Sequence, residues 1–189
     1  IESIRNFYTV KLKILRSYLA AVPTFDLLNN HYYNIDNPAR TIRTALIGDR
    51  PYLLYGGGTH FAGTVRETTP YYEALQDELK TVFQITDKPV VWSSQDIETD
   101  DKMPYVGTLV KNDDFIFIAT GFKKWGLSTS LLAAEILMSS IVHEHHKATR
   151  LFDPHRNASA TKFVSSVAQA SFVIEQLIGG YVTRMKAPK

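Results

Sequence analysis

The segment between Trp92 and Trp125 restricts the possible folds of this chain more than any other. It runs from a strand-like WSS through the acidic QDIETDDK and the turn MPYVG to FIFIATGFKKWGLSTS, which opens a long apolar helix. A strand that passes through a glycine-rich turn into a helix N-terminus is a common way to hold an anionic or electron-rich ligand, because the first helical turn has unpaired N–H groups. We therefore predict a ligand-binding edge at this turn.

The first half of the chain has the pattern of short strands. Runs rich in Tyr, Val, Leu and Ile predict strands over residues 8–15, 17–22, 31–35, 41–47, 52–56 and 90–94. Turn signals such as Asn37 before Pro38 and Gly48 before Asp49 separate them, and such short links favour an antiparallel meander. One helix is predicted in this region, over residues 69–83, where Pro70 suits the first turn.

Three consecutive glycines, Gly56, Gly57 and Gly58, are the nearest approach to a phosphate-binding loop in this sequence. They lack the G-x-G-x-x-G spacing, and no predicted helix begins after them. A hairpin turn is therefore the favoured interpretation of these glycines.

The second half of the chain combines an apolar strand with helices. Residues 115–119 form a continuous apolar run, which is typical of a strand that is covered on both faces, as in a parallel sheet. A helix is predicted to continue to about His143, with N-cap candidates Ser128, Thr129 and Ser130 and an apolar stripe of Leu131, Ala134, Met138 and Ile141. A loop follows, and a last helix is predicted over residues 160–178.

The composition excludes several kinds of site. Cysteine is absent, so the chain has no disulfide, no thiol nucleophile and no cysteine-ligated metal or iron–sulfur site. Lys and Arg number 21 and Asp and Glu number 19, and this near balance predicts neither nucleic acid nor a membrane as a partner. With no spanning segment or signal-peptide core, we expect a cytoplasmic protein. The start at Ile1 rather than methionine predicts a piece of a longer protein.

No metal site is predicted from the histidines. The group His143, His145 and His146 invites comparison with the H-E-x-x-H motif, but Lys147 stands where its second histidine is needed. Histidines at a helix C-terminus are also favoured by the helix dipole. A G-x-S-x-G nucleophile motif is absent too, so hydrolase chemistry has no support.

Several segments together resemble one family. WSSQDIETDDKMPYVG followed by IFIATGFKKWGLSTSLLAAEIL resembles the C-terminal part of the D-amino-acid-oxidase-like family of FAD-dependent oxidoreductases, in the branch that carries a C-terminal Rieske iron–sulfur domain. RSYLAAV, RTALIGDRPYLLYGGGTHFAG and ATRLFDPHR occur in the order that this branch shows. The resemblance extends from Asn6 to Arg156.

The resemblance implies an α+β fold with three parts. An antiparallel or mixed sheet of a substrate domain, with one helix, would occupy residues 1–95, and the returning strand–helix part of an FAD-binding domain would occupy residues 96–150. Residues 151–189 would form a loop and a C-terminal linker helix. The G-x-G-x-x-G segment and the Rieske domain would lie outside this chain, so we expect no stable FAD binding by the chain alone and a 2Fe–2S cluster only in a missing domain.

The resemblance also implies a set of cofactor contacts. These are Tyr105, Gly107, Gly121, Phe122, Lys123, Trp125, Gly126, Leu127, Ser128 and Thr129. Reduced flavin gathers negative charge at its pyrimidine edge, which a helix N-terminus and Lys123 or Lys124 would stabilise. The pattern alone also fits a buried strand followed by an ordinary capped helix, with Trp125 as a packing residue.

The substrate side is less defined. Tyr18, Trp92 and Gln95 are pocket candidates, and packing or surface contacts are the alternative for each. Amino-acid-oxidising members of the family carry an arginine four residues after the tryptophan, where it binds the substrate carboxylate, but this chain has Asp96 there. An acidic group repels a carboxylate, so an ordinary α-amino acid substrate is not favoured.

Three functional hypotheses follow. The chain is a fragment of an FAD-dependent oxidoreductase that acts on a small amine- or hydroxyl-bearing substrate and passes electrons to an iron–sulfur domain. Alternatively, it is a non-catalytic remnant of that fold that binds a small molecule or a protein. The third hypothesis is a scaffold that forms homo-oligomers through the strand over residues 115–119 or through the last helix.

Overall fold

The structure, a computed structural model, describes residues 11–36, 38–111 and 115–156. The chain divides into two compact units. We call Leu15–Gln95 the sheet unit, and we call the described residues from Asp96 to Arg156, together with residues 11–14, the helix unit. The helix predicted over residues 160–178 lies outside the described residues.

A five-stranded sheet forms most of the sheet unit. Its strands are β1 (Leu12–Pro23), β2 (Tyr32–Asn34), β3 (Arg40–Ile47), β4 (Arg50–Phe61) and β5 (Val90–Thr99), in the spatial order β2-β3-β4-β1-β5. The pairs β2–β3, β3–β4 and β4–β1 are antiparallel. The predicted α+β class with an antiparallel sheet is thus confirmed.

One helix, α1 (Thr69–Val82), packs on this sheet. Leu75 and Leu79 are almost completely buried and lie one helical turn apart, so they point to the same side. They join Tyr18, Val22 and Tyr55 of the sheet in one apolar core. Burial of each leucine contributes about 2 kcal/mol of stability.

Two predictions about strands were wrong. The separate strands over 8–15 and 17–22 are one strand, β1, because the sheet absorbs the irregularity at Arg16 and Tyr18 as a bulge rather than a break. The three glycines form no hairpin turn and lie inside β4. At Gly57 a Cβ atom would lie only 2.5 Å from the carbonyl oxygen of Ala39, so a side chain would collide with the neighbouring chain segment.

The helix unit contains a small sheet and two helices. Strands β6 (Tyr105–Thr108) and β7 (Phe117–Thr120) pair in antiparallel fashion, and helices α2 (Gly126–Ile141) and α3 (Thr149–Phe152) follow. Val106, Ala133, Ile136 and Phe152 form its buried core. The strand and the helix that the sequence predicted are both present.

Their details differ from the prediction in three ways. Strand β7 is antiparallel, because the connection from Thr108 to Phe117 is shorter than the dozen residues that a parallel crossover needs. The N-cap of α2 is Trp125, since the Ser128 and Ser130 hydroxyls donate to the carbonyls of Trp125 and Leu127 inside the helix. The predicted apolar stripe lies on the exposed face of α2, because Ala133 and Ile136 supply the buried face; its members are Leu131, Ala134, Met138 and Ile141.

Candidate functional site

The turn before helix α2 has an unusual backbone. Gly121 has a φ of 81°, and Lys123 and Lys124 have φ values of 46° and 68°. The left-handed conformation costs a residue with a side chain roughly 1–2 kcal/mol, because its Cβ crowds the following carbonyl oxygen. Two successive lysines in this conformation are therefore a strained feature, of the kind that proteins concentrate at functional turns.

Neighbouring segments of the helix unit hold this turn in place. The Lys123 N–H donates to the carbonyl oxygen of Ile97 at 3.0 Å, and Phe122 forms an isolated antiparallel bridge with Glu98. The Lys123 Nζ atom lies 3.3 Å from the Glu98 carboxylate. The Trp125 N–H donates to the Phe122 carbonyl at 2.9 Å, which closes the turn immediately before α2.

The first turn of α2 is open to an acceptor. Its N-cap residue, Trp125, makes no side-chain cap hydrogen bond, and the first turn contains no acidic residue. Trp125 and Leu127 are largely exposed, Leu127 almost completely. A helix N-terminus carries roughly half a positive charge, so this end of α2 favours a negatively charged or electron-rich group.

Gly121 and Gly126 have different roles in the fold. A Cβ at Gly121 would lie 2.5 Å from Thr99 Cγ2, so packing within the helix unit by itself excludes a side chain there. At Gly126 the nearest atom to an added Cβ is Phe122 Cβ, 4.0 Å away. The fold therefore has room for a side chain at Gly126, and close approach by a ligand is a separate reason for glycine at this position.

Arg156 holds the segment around two other predicted cofactor contacts, Tyr105 and Gly107, which lie in strand β6 and not in a turn. Its guanidinium donates to both carboxylate oxygens of Asp101 at 2.8 Å and to the carbonyl oxygens of Met103, Pro104 and Asp153. It also lies 4.1 Å from the centre of the Tyr105 ring, a cation–π distance. Every N–H of the side chain is used, and Arg156 therefore fixes the chain just before β6.

The electrostatics of this ion pair are strong. Burial would raise the pKa of the Asp101 carboxyl, but hydrogen bonds from Arg156 and from the Met103 N–H outweigh it and hold that pKa well below its usual range. Burial raises the pKa of the neighbouring Tyr105 hydroxyl. Asp101 is thus ionised and Tyr105 neutral at neutral pH.

The segment from Phe152 to Arg156 follows β6 along its length. Phe152 packs in the same core as Val106, and a Cβ on Gly107 would lie 3.0 Å from the Pro154 ring. His155 Nε2 lies 3.0 Å from the Thr108 carbonyl oxygen. The contact with Pro154 and the φ of 148° at Gly107 both disfavour a side chain at this position, whatever else Gly107 contacts.

The sheet unit contains a second polar cluster, around Tyr18. Tyr18 is completely buried, and its hydroxyl lies 2.8 Å from His60 Nε2. His60 Nδ1 lies 2.8 Å from the Phe61 carbonyl oxygen, which only accepts, so we assign the proton to Nδ1 and the accepting role to Nε2. Tyr71 stacks on both rings, with its centre 4.7 Å from Tyr18 and 4.8 Å from His60.

Burial is the main cause of a raised pKa at the Tyr18 hydroxyl, and the nearby positive charge of Arg16 opposes it. Tyr18 is therefore the hydrogen-bond donor to His60 at neutral pH. Because Tyr18 has no exposed surface, it contacts a ligand only through His60, which is partly exposed.

The other predicted substrate residues do not join this cluster. Trp92 and Gln95 lie on β5 and are exposed, and among the described residues neither makes a hydrogen bond or ring contact with Tyr18. Asp96 Oδ1 accepts from the Ile97 N–H at 2.9 Å, whereas Asp96 Oδ2 is buried without a hydrogen-bond partner in the described part of the chain. A buried carboxylate oxygen without a hydrogen-bond partner is stabilised by a cationic neighbour and destabilised by an anionic one.

Sequence analysis did not identify His60, Tyr71, Asp101 or Arg156 as site residues. His60 lacks a ligand-like spacing, and Arg156 and Asp101 are 55 residues apart in the chain. The only available signal was the segment ATRLFDPHR, which was part of the family resemblance. The segment contains two arginines, Arg150 and Arg156, so charge could have matched it to the acidic QDIETDDK segment without deciding which arginine forms the pair.

The described residues provide neither a metal-binding cluster nor a helix that could span a membrane. Over residues 11–36, 38–111 and 115–156, the structure has no group of three or more His, Asp or Glu side chains arranged to hold a metal ion. In the same residues, every helix is too short or too polar to cross a membrane.

The fold is shared with parts of two solved structures, a glycine oxidase and an L-amino acid deaminase. It superposes on glycine oxidase from Geobacillus kaustophilus with a TM-score of 0.63 over 79% of this chain and 40% of that one, at 17% identity. It superposes on L-amino acid deaminase from Proteus vulgaris with a TM-score of 0.54 over 78% and 37%, at 15% identity. These likenesses establish the class: the chain has the fold of part of a D-amino-acid-oxidase-like protein.

The sequence comparison narrows this class to one branch. The chain is 31% identical over 179 residues to YhfW, a Rieske 2Fe-2S iron–sulfur protein of Bacillus subtilis. The alignment covers 93% of this chain but only 35% of YhfW, so the chain spans about a third of that relative's length. No family model matches the chain. The predicted resemblance to the Rieske-linked branch of the D-amino-acid-oxidase-like family is therefore confirmed.

Proposed function

We propose that this chain is part of an FAD-dependent oxidoreductase that oxidises a small amine- or hydroxyl-bearing substrate. The observation that carries the proposal is the turn from Gly121 to Gly126, where two left-handed lysines precede an uncapped, acid-free helix N-terminus. A strained turn that presents helix N–H groups suits an electron-rich planar cofactor. The fold likeness to glycine oxidase supports the same assignment.

The residues of this turn fit the flavin edge. The N–H groups of Gly126, Leu127 and Ser128 would donate to the pyrimidine carbonyl and nitrogen acceptors, and the dipole of α2 would stabilise negative charge there. The open space at Gly126 allows the ring to approach the backbone. Lys124 adds positive potential, and the exposed Trp125 and Leu127 side chains would exclude water from the ring. FAD, when bound, supplies the redox chemistry by accepting two electrons from the substrate.

Within the sheet unit, His60 is the candidate for the substrate side. Both ring nitrogens of His60 are engaged, Nε2 with the Tyr18 hydroxyl and Nδ1 with the Phe61 carbonyl, so the partly exposed ring would contact the substrate by packing. At position 96, where amino-acid-oxidising members of the family carry an arginine, the carboxylate of Asp96 would oppose a carboxylate-bearing substrate. Onward transfer of electrons to an iron–sulfur domain outside this chain is supported by the Rieske relative.

The first test is the flavin content of the full-length gene product. Purified from cells, it is expected to carry FAD with the visible absorbance of a flavoprotein, whereas the present 189-residue chain is expected to bind none stably. A full-length product that carries no FAD and takes none up would contradict the proposal. A small-molecule- or protein-binding remnant of the fold would then be the better assignment.

A matched pair of variants tests the contact itself. Gly126→Ala places a methyl group in space that the fold leaves open, so folding is expected to be unchanged. In the full-length protein the same methyl group would collide with the flavin and weaken FAD binding by about tenfold or more. Ser130→Ala, one turn further along α2, is the control and should leave FAD affinity unchanged. Equal FAD affinity in both variants would remove Gly126 from the cofactor site.

A further inference from the structure

The end of strand β5 runs beside the turn that precedes helix α2. Three residues of the strand face three residues of the turn in antiparallel order, and all six belong to the helix unit. The facing pairs are Ile97 with Lys123, Glu98 with Phe122, and Thr99 with Gly121. The first pair shares a backbone hydrogen bond of 3.0 Å, the second is an isolated bridge, and the third is in close side-chain packing. The strand therefore supports the turn along its whole first half.

The Glu98 side chain adds an ion pair to this backbone contact. Its carboxylate lies 3.3 Å from Lys123 Nζ and is only 17% exposed, whereas the Lys123 side chain is 39% exposed. The described part of the chain gives the Glu98 carboxylate no second ion pair. A mostly buried carboxylate depends on such a partner, because a buried charge without compensation is costly. The pair therefore influences the turn more than an exposed ion pair would.

The backbone of the turn needs this support. Lys123 and Lys124 follow each other in the left-handed conformation, with φ values of 46° and 68°. A residue with a side chain keeps this conformation only where the surrounding contacts hold it. Lys123 has two such contacts, the hydrogen bond from its N–H to Ile97 and the ion pair of its side chain with Glu98. The residue is thus held through both its backbone and its side chain.

The conformation of Lys123 affects the start of helix α2. The Trp125 N–H donates to the Phe122 carbonyl at 2.9 Å, and the Thr129 N–H donates to the Trp125 carbonyl at 3.0 Å. The two lysines are the only residues between Phe122 and Trp125, so a change at Lys123 would displace Trp125 and the N–H groups that follow it. Groups that already hold the bound geometry bind more tightly, because less ordering accompanies binding.

We propose that Glu98 is a positioning residue for this turn: its ion pair with Lys123 holds the conformation that directs the first N–H groups of α2 toward the flavin. The inference rests on the proposed function, since it concerns the same turn. Glu98 acts through Lys123 and not by contact with the cofactor. In this role the Lys123 ammonium group stabilises the turn, whereas the family resemblance made Lys123 a cofactor contact.

A role of Glu98 through its charge alone would have the opposite effect. Glu98→Gln removes a negative charge and leaves the Lys123 ammonium group without its partner. The added positive potential near α2 would by itself strengthen binding of an electron-rich flavin edge. Loss of the contact that holds Lys123 would instead weaken binding, because the turn would have to be ordered by the cofactor. The sign of the change in FAD affinity therefore separates the two roles.

The first test examines the turn without cofactor. Hydrogen–deuterium exchange of the full-length gene product, freed of FAD, is followed over residues 122–125. Glu98→Gln should accelerate exchange there about tenfold and leave the β6–β7 pair at its wild-type rate. Glu135→Gln is the matched control, because it removes another ion-paired glutamate of the helix unit, the partner of His146, and should change neither region. Unchanged exchange over residues 122–125 in Glu98→Gln would overturn the inference and leave the proposed function standing.

The second test measures the FAD affinity of the same full-length variants. Glu98→Gln should weaken FAD binding about fivefold or more, and Glu135→Gln should leave it unchanged. Adding Lys123→Asn to Glu98→Gln should restore slow exchange and most of the affinity, since asparagine adopts the left-handed conformation more readily than lysine. Equal or tighter FAD binding by Glu98→Gln, or no recovery in the double variant, would overturn the inference. A wild-type product that takes up no FAD would instead contradict the proposed function, and the exchange test alone would then decide the role of Glu98.

Discussion

Arg156 and Asp101 form a two-point ion pair, with Nε and Nη2 each 2.8 Å from a different carboxylate oxygen. The two residues lie 55 positions apart and join the turn before β6 to the segment after α3. Because three backbone carbonyls accept the remaining N–H groups, the guanidinium has no unsatisfied donor. This pair is the main polar connection between these two segments of the helix unit.

Replacement of Arg156 should destabilise the chain strongly. In Arg156→Gln the Asp101 carboxylate loses its counter-charge while it stays mostly buried, and we expect a loss of about 2–4 kcal/mol in the free energy of unfolding at pH 7. Urea denaturation measures this value. Arg150→Gln, an exposed arginine in α3, is the control and should change stability by less than about 0.5 kcal/mol. Equal losses in the two variants would show that the ion pair contributes little.

The same ion pair gives a dependence of stability on pH. The pKa of Asp101 is lower in the folded chain than in the unfolded chain, where it is about 3.9. Its contribution is therefore fully present above about pH 5 and is lost as the pH falls toward the folded pKa. Between pH 5 and pH 2, wild-type stability should fall more steeply than that of Arg156→Gln. Parallel curves for the two proteins would contradict this explanation.

Gly121 should tolerate alanine poorly. The new Cβ would lie 2.5 Å from Thr99 Cγ2, and the φ of 81° strains any residue with a side chain, so we expect a loss of about 3 kcal/mol or more. Thermal unfolding of Gly121→Ala measures it. Adding Thr99→Ser removes the colliding methyl group and keeps the hydroxyl that donates to the Met103 carbonyl, so the double variant should recover part of the loss. No recovery would attribute the loss to backbone strain alone.

Tyr55 should be among the last tyrosines to ionise. Burial and its hydrogen bond to the Glu78 carboxylate raise the pKa of the Tyr55 hydroxyl to about 12. A raised pKa stabilises the fold below pH 10, and this contribution is lost as the pH rises from about 10 to 12. Tyr55→Phe should therefore flatten the decline in stability over this interval and remove one late step from the tyrosinate absorbance titration. An unchanged titration would place Tyr55 outside the buried network with Glu78 and Arg40.

The assigned state of His60 can be tested by NMR. Nitrogen chemical shifts should show the proton on Nδ1, where the Phe61 carbonyl accepts it, and an unprotonated Nε2. Tyr18→Phe removes the donor to Nε2 and should cost about 1–2 kcal/mol. Tyr72→Phe is the control, because Tyr72 meets Tyr18 through an edge-on ring contact. A proton on Nε2 in the wild-type chain would reverse the assignment.

Local patterns predicted most of the sheet unit and its helix. Leu75 and Leu79 recur at helical spacing, and the strands β2 and β3 were found near their actual bounds. The start of β5 was predicted correctly, but its end was placed at Ser94 instead of Thr99. The face of α2 was not predictable, because this helix is apolar on all sides and its sequence does not distinguish the Ile136 face from the Met138 face. Only the neighbouring Val106 and Phe152 decide which face is buried.

The site was predictable where it depends on local sequence and not where it depends on distant pairs. The turn from Gly121 to Gly126 was identified because strand, glycines and helix are adjacent in the chain. The contact between Tyr18 and His60 was missed, because it depends on the register of β1 against β4. Short-range patterns carry no information about such a register.

The bulge in β4, opposite Arg16 and Tyr18, changes which residues of this strand face the core. Before it, odd-numbered residues such as Leu53 and Tyr55 face the core; after it, the even-numbered His60 meets Tyr18. Without the bulge the same residues would alternate regularly, which would bring Thr59 to the Tyr18 face and send His60 to the opposite face of the sheet. The bulge takes up one residue between Gly57 and His60, and this single extra residue therefore places His60 beside Tyr18.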